Sequence, residues 1–309
     1  MCTDRDNNIF RQYRYVGKDA AVHFLRTLFQ LEREVKAKLK ATEPIVMTSE
    51  QQLQHSKATK CYLCHEPFVE GSRNYSRCAD HDHISGLYIG AAHSICNLHR
   101  SEIVKLVGFA HNFTGYDSHI LMDAIVEMKL TEELDGIPLN TEKFKMLKIG
   151  NITFLDSAAF LSASLDQLVK NLKVSDHSFP IVSDWLRKEH PLCFEEELQA
   201  KKQLLLRKGV YPYEFMDSYG KVDYPLLPER SDFFSRLTGS SISEDDYRHA
   251  QEVWKEFDIS SMKQYTELYV MADTVLLAEA VTSLRDAMHN EFDLDLAHYL
   301  SMPMMSKVS

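Results

Sequence analysis

The sequence predicts an α/β fold with a small inserted module and a mainly helical C-terminal part. Strand-length apolar runs alternate with helical patterns between residues 103 and 173. Four cysteines crowd between Cys61 and Cys96, and helical periodicity dominates from Phe194 onward. A chain of 309 residues is long enough for two ordinary domains, or for one larger domain carrying an insertion. Apolar residues at 44% and charged residues at 26% match a folded chain, and no Gly, Pro or Ser tract suggests a long disordered arm.

Taken in order, the first element is a long amphipathic helix from Asp19 to Lys40, where Val22, Leu25, Leu28, Phe29, Leu31 and Val35 recur near helical spacing. Residues 42 to 60 mix a proline with polar side chains and read as a connector into the cysteine-rich module, which ends near Arg100. IVKLVGFAHN is a short buried strand running into FTGYDSH, where Gly115 permits a turn and Asp117 or Ser118 can cap the helix HILMDAIVEM. A second strand, NITFLDSAAF, leads into the helix SLDQLVKNL. Farther on, Ser243 with Asp246 three residues later opens one helix, and a long apolar-striped helix starts after Ser260 or Ser261. No internal repeat is present.

Charge narrows the partners. A formal net charge of -10 argues against a protein that coats nucleic acid non-specifically, because phosphate contacts need a basic surface. Any DNA contact must then be local or metal-assisted. MCTDRDNNIFRQYRY has no apolar signal region, and no run of about 18 apolar residues suggests a membrane span. Of six cysteines only Cys2 and Cys193 stand apart from the cluster, which is metal-site spacing and not a disulfide framework. A reducing compartment, nuclear or cytoplasmic, follows.

Within the cluster, Cys61-Tyr-Leu-Cys64 places two thiolates on a tight knuckle, and His93-Ser-Ile-Cys96 sets an imidazole and a thiolate one helical turn apart. Four soft ligands in two pairs suit tetrahedral Zn²⁺. Cys78 is a spare thiol that could displace His93 as the fourth ligand. Between the pairs lies Asp80-His81-Asp82-His83, and Asn97 directly follows the last ligand. Such a run could be an ordinary charged turn. Asp80 and the Asn97 amide could also supply an oxygen-rich site for Mg²⁺, beside a neutral imidazole able to activate water.

The CxxC, DHDHISG and HSICN strings resemble the His-Me finger of phage recombination endonuclease VII, a ββα fold stapled by structural zinc. The resemblance covers about 40 residues. It implies His81 as general base, Asp80 and Asn97 as ligands of one catalytic Mg²⁺, and His83 in support. Relatives usually carry a basic residue near Ile89; this chain reads GLYIGAAH, which removes a phosphate contact and puts DNA affinity in question.

Downstream, Asp117 stands at a strand-to-helix turn, and Tyr269 and Asp273 are spaced i,i+4 on the long helix, stacking a phenol over a carboxylate. Each feature alone is an even match for a helix-surface coincidence. Together with YRYVGKDAAVHFL, FLDSAAFLSASLDQLVKNL and LLLRKGVYPYEFMDSY, in this order, they resemble the proofreading exonuclease of protein-primed family B DNA-directed DNA polymerases of Maverick/Polinton transposons and related viruses. That resemblance implies a nucleotidyltransferase ancestry in DNA replication. Asp117 would match the second exonuclease motif, and Tyr269 with Asp273 the third.

The family's first motif, DxE on a buried strand, is not found: Asp4-Arg-Asp6 has no strand before it and Glu32-Arg-Glu34 falls in the first helix. No Asp-rich strand follows Asp273 for a polymerase palm. The expectation is therefore an internal piece of such a polymerase, without independent synthesis, whose RNase H-like exonuclease core is incomplete. Residues 1-55 form a helical segment, 56-100 the zinc-bound finger and 101-309 the partial exonuclease-like domain. Expected partners are DNA and the N-terminal exonuclease and C-terminal polymerase parts of a related polypeptide, with no membrane. Two alternatives stand beside it: a Mg²⁺-dependent endonuclease acting through the finger, and a non-catalytic zinc-stabilised binding remnant.

Overall fold

The computed structural model describes residues 1–3, 9–41, 43–83, 85–101, 106–140 and 143–306. Two short strands, β1 (Cys2–Thr3) and β2 (Ile9–Arg11), precede helices α1 (Ala20–Ala41) and α2 (Ser49–Lys57). Strands β3 (Arg77–His81) and β4 (Tyr88–His93) run into helix α3 (Ser94–Ser101), followed by β5 (Leu106–Ala110) and α4 (Asp117–Met128). Then come β6 (Leu134–Pro138), β7 (Phe144–Ile149) and β8 (Ile152–Asp156). Six α-helices follow among the described residues: α5 (Leu165–Val174), α6 (Pro180–Glu189), α7 (Glu195–Leu205), α8 (Glu244–Glu256), α9 (Met262–Phe292) and α10 (Met302–Met305). The α/β class is as expected.

The chain divides into two compact units. One comprises residues 21–108 and 118–155; the other comprises 1–20, 109–117 and 156–309. In the first, β3 and β4 pair antiparallel as a separate hairpin, while β5, β8, β7 and β6 lie side by side in that order in a four-stranded sheet. The β7–β8 connection is the two-residue loop Gly150-Asn151, closing the pair Ile149↔Ile152. Gly150 at φ +58 suits the first central position of a primed hairpin turn, whose twist matches that of the strands. Leu147, Ile149, Ile152 and Phe154 turn inward, as do Val22, Leu25 and Phe29 of α1.

The second unit is mainly helical. Its largest core gathers Trp185, Ile181, Val182 and Leu186 of α6 with Val275 and Leu276 of α9. Fully burying side chains of this size contributes about 1.5–3 kcal/mol each. Helix α9 begins where Ser261 accepts the Gln264 N–H at 3.4 Å, and α8 where Ser243 accepts the Asp246 N–H at 3.1 Å.

Two expectations need correction. The connector 42 to 60 contains α2, opened by a Thr48/Gln51 capping box in which each side chain takes the other residue's backbone N–H. Asp117 lies inside the first turn of α4 and not before it. Strands β6 and β7 and helix α6 were not anticipated. Glu32 and Glu34 do lie in α1, as expected, while Asp4 and Asp6 lie outside the described residues.

Candidate metal centre and acidic sites

The finger is built in the order strand, strand, helix, with β3 and β4 antiparallel and α3 following directly. His93 closes β4 and Cys96 falls in the first turn of α3, so both point back to the knuckle carrying Cys61 and Cys64. The ligand atoms of these four residues all lie within 4.8 Å of one another. His93 Nδ1 is 3.3 Å from Cys64 Sγ and 3.7 Å from Cys96 Sγ, and the His93 backbone N–H donates to Cys61 Sγ at 3.3 Å. His93 Nε2 stands 3.0 Å from the Pro67 carbonyl. A proton on Nε2 donated to that oxygen leaves the Nδ1 lone pair for an ion, the usual outer support of a metal-bound histidine.

Edge-on rings of Phe68 and Tyr75, with centroids 5.1 and 5.3 Å away, fix the buried imidazole in its plane. Burial pushes the Cys61 thiol up, but backbone N–H groups of Cys64, His93 and Leu63 outweigh it and bring Cys61 down to about 7. The donor set fits a metal such as zinc. Cys78 is not among the four; its thiol is bonded by the side chains of Asn97 and Ser94.

Beyond the cluster, β3 ends in Asp80 and His81. The ladder pairs Asp80 with Gly90 and His81 with Tyr88, so the register slips by one residue between them. A bulge of this kind re-aims side chains. Asp80 is 2% exposed and accepts a short hydrogen bond from the Tyr62 hydroxyl. Both ring nitrogens of His81 are buried without a hydrogen-bond partner, and its ring lies 5.1 Å from that of His83. His83 Nδ1 is 3.0 Å from the Leu39 carbonyl oxygen.

Asn97 and Asp80 both act on the Cys78 thiol, which burial and then the Asp80 charge push up while Asn97 pulls it down. The fold thus gathers Asp80 and Asn97 around Cys78. No group of three His, Cys, Asp or Glu donors close enough to share one ion includes Asp80 or His81 among the described residues.

The second set of acids lies in the helical unit. Asn112, at φ 61, turns the chain out of β5 into a single 3-10 turn, Phe113–Gly115, just ahead of α4. A Cβ on Gly115 would sit 2.5 Å from Asn112 Oδ1, so any larger residue there would push the Asn112 side chain aside. Asp156, at the end of β8, accepts the Thr114 and Ala158 N–H groups, each at 3.0 Å. Its charge reaches Asp117: burial first, then Asp156, hold the Asp117 carboxyl above the usual carboxylate range. Sequence reasoning missed Asp156. The signal was available, since FLD ends a strand and the following Ser-Ala-Ala is an open turn that an aspartate can cap.

On α9 the Tyr269 hydroxyl stands 2.8 Å from that of Tyr213. Burial, then Tyr213, then Asp273 push the Tyr269 phenol far up. Burial also raises Asp273, against the pull of the Tyr269 hydroxyl and the Lys208 charge, and its Oδ1 is buried without a partner. Tyr269 and Asp273 therefore form one pair and Asp117 and Asp156 another. No three-donor cluster joins the two pairs among the described residues.

Comparison with known proteins gives one distant likeness. The chain is 21% identical over 207 residues to a protein described as "Probable DNA polymerase" from Ascobolus immersus, a match covering 63% of this chain and 14% of that protein. The chain thus spans a small part of that relative's length. No family model and no solved structure matches. No helix among the described residues is long and apolar enough to cross a membrane.

Proposed function

We propose that the chain is the exonuclease-like part of a protein-primed family B type of DNA polymerase, with an endonuclease VII-like finger inserted, and that it acts on DNA in the nucleus or cytoplasm. The observation that carries this reading is the pairing of Tyr269 with a buried, unpartnered Asp273 oxygen in a chain similar to a probable DNA polymerase. On this reading residues 56-100 form the finger, and 101-309 descend from the RNase H-like exonuclease. Asp117, beside Asp156, and Asp273, beside Tyr269, would each offer a carboxylate to Mg²⁺, which when bound neutralises charge on the scissile phosphate. The Tyr269 hydroxyl, beside Asp273, would orient the attacking water.

Synthesis is not assigned to these residues. The test is a labelled primed template incubated with the purified chain, Mg²⁺ and deoxynucleotides. Shortening of the primer that is lost in Asp273→Ala, with no extension, is the expected result; primer extension sinks the proposal.

A second reading is supported by His81. Two ring nitrogens buried without partners, next to a buried carboxylate at a strand bulge, suit a general base waiting for a water and a phosphate. Here His81 would take the proton of the attacking water, Asp80 and Asn97 would hold a Mg²⁺, and His83 would brace the His81 ring. Nicking of supercoiled plasmid should fall at least about 100-fold in His81→Ala, the usual scale of a lost general base. Unchanged nicking rules His81 out.

A further inference from the structure

With a formal net charge of -10 over the whole chain, a DNA strand needs a local basic surface to bind to. Helix α1 supplies one, with five basic residues against two acidic ones. While Val22, Leu25 and Phe29 turn inward, Arg26 and Arg33 are exposed. Seven residues apart, the two arginines stand almost in line along the helix, about 10 Å from each other, and Lys36 follows roughly one turn later. These three side chains line one wall of a groove of about 660 Å³, which Glu132 and the β7–β8 turn, Gly150-Asn151, also line. The acid within the α1 wall is Glu32. Burial alone would push its carboxyl up, but hydrogen bonds from Asn151 Nδ2 at 2.7 Å and from Lys36 hold it below the usual range. Glu32 is therefore ionised and already satisfied. Arg33 feels the Glu32 charge beside it, yet neither Arg33 nor Arg26 is held in a salt bridge among the described residues.

We propose that this groove binds the phosphodiester backbone of a single DNA strand, with the Arg26 and Arg33 guanidinium groups as its phosphate contacts. The proposal rests on the reading of the chain as one that acts on DNA, and adds to it the surface that holds the substrate. Cations spread over about 15 Å of helix suit a row of phosphates, which recur about every 3.4 Å along a strand in duplex form. A lone phosphate would instead need donors converging on one point. Pockets of about 300–1,000 Å³ enclose a drug-sized molecule, so a groove of this size takes one backbone and cannot enclose a duplex. The helix also leads to the finger, since the Leu39 carbonyl oxygen near its end lies 3.0 Å from His83 Nδ1. Glu132, exposed in the same groove, opposes the phosphates and limits the affinity.

The experiment follows binding of a short fluorescein-labelled oligothymidylate to the zinc-loaded full chain by anisotropy over a series of NaCl concentrations, without added Mg²⁺ so that no cleavage intervenes. Each lost phosphate contact lowers the slope of log K against log salt by about 0.7 for a single strand, so the double variant Arg26→Gln, Arg33→Gln should flatten it by about 1.4. Its zinc content and thermal midpoint should match wild type, because both side chains are exposed. Lys38→Gln, which removes an exposed α1 lysine outside the groove, should leave the slope unchanged. Glu132→Gln should tighten binding. If wild type binds the strand and the double variant keeps its slope, or Lys38→Gln flattens it as much, the groove is overturned and the DNA reading stands. If wild type does not bind, both fall.

Discussion

Removing the ion from the Cys61–Cys64–His93–Cys96 cluster should unfold the finger and leave the helical unit folded. Between residues 56 and 101 the only buried apolar side chains among the described residues are Cys61, Ala91 and Ala92. Burial of a methyl group contributes about 0.8 kcal/mol, whereas ordering each backbone residue costs roughly 1–2 kcal/mol. The finger therefore has no apolar core to hold its loops, and its buried polar groups, Asp80 and His93, would cost free energy wherever their partners were lost. A structural zinc contributes about 10–16 kcal/mol of apparent binding free energy near neutral pH, enough to decide the matter alone. Zinc measured by plasma mass spectrometry should be one per chain. On chelation, hydrogen exchange should accelerate across β3, β4 and α3 while the amides of α6 and α9 stay protected. Continued protection of β4 in metal-free protein would refute the argument.

Three further outcomes follow from local geometry. Asp117, whose folded-state pKa is raised by burial and by Asp156, is neutral in both states below the ordinary carboxylate range, and stability falls as pH rises through its folded value. Asp117→Asn should accordingly raise the thermal midpoint at pH 7 without added cations, with the gain vanishing near pH 3.5; an equal gain at both pH values would contradict the linkage. Gly86→Ala should destabilise by more than about 1 kcal/mol, since Gly86 sits at φ +75 and its Cβ would lie 2.4 Å from the Pro44 carbonyl oxygen, as denaturant melts would show. His65→Gly should stabilise the zinc-loaded finger by roughly 1 kcal/mol, the strain of a left-handed non-glycine residue at φ 61, read from chelator competition for zinc.

The metal centre was legible because its chemistry is local: two short spacings, on a knuckle and at a strand-to-helix joint, bring the four ligands together once β3 and β4 pair. The same holds for α1, α8 and α9, where the apolar period or a serine cap lies within the element itself. Helix α2 hid behind its polarity. It buries no side chain among the described residues, so the Thr48/Gln51 capping box was its sole sequence signal. Strands β6 and β7 hid for a related reason, since β6 is mostly exposed and alternation is blurred in both. Long-range pairings were the least visible. That Asp156 would press its charge on Asp117, and Tyr213 its hydroxyl on Tyr269, depends on chain crossings that no periodicity records.

The acids also differ in how the fold treats them, and this bears on function. Asp156 is held by donors, the backbone N–H groups of Thr114 and Ala158. Asp117 and Asp273 are instead raised by burial, and one Asp273 oxygen has no partner. A buried acceptor left unsatisfied costs about 1–3 kcal/mol. A group kept at that expense acquires a stabilising partner when a cation binds, so Asp273 should gain most from added Mg²⁺. A structural aspartate with all its lone pairs occupied would gain nothing from the ion. This difference in hydrogen bonding, more than the spacing of Tyr269 and Asp273, supports the reading of the α9 pair as a site for chemistry.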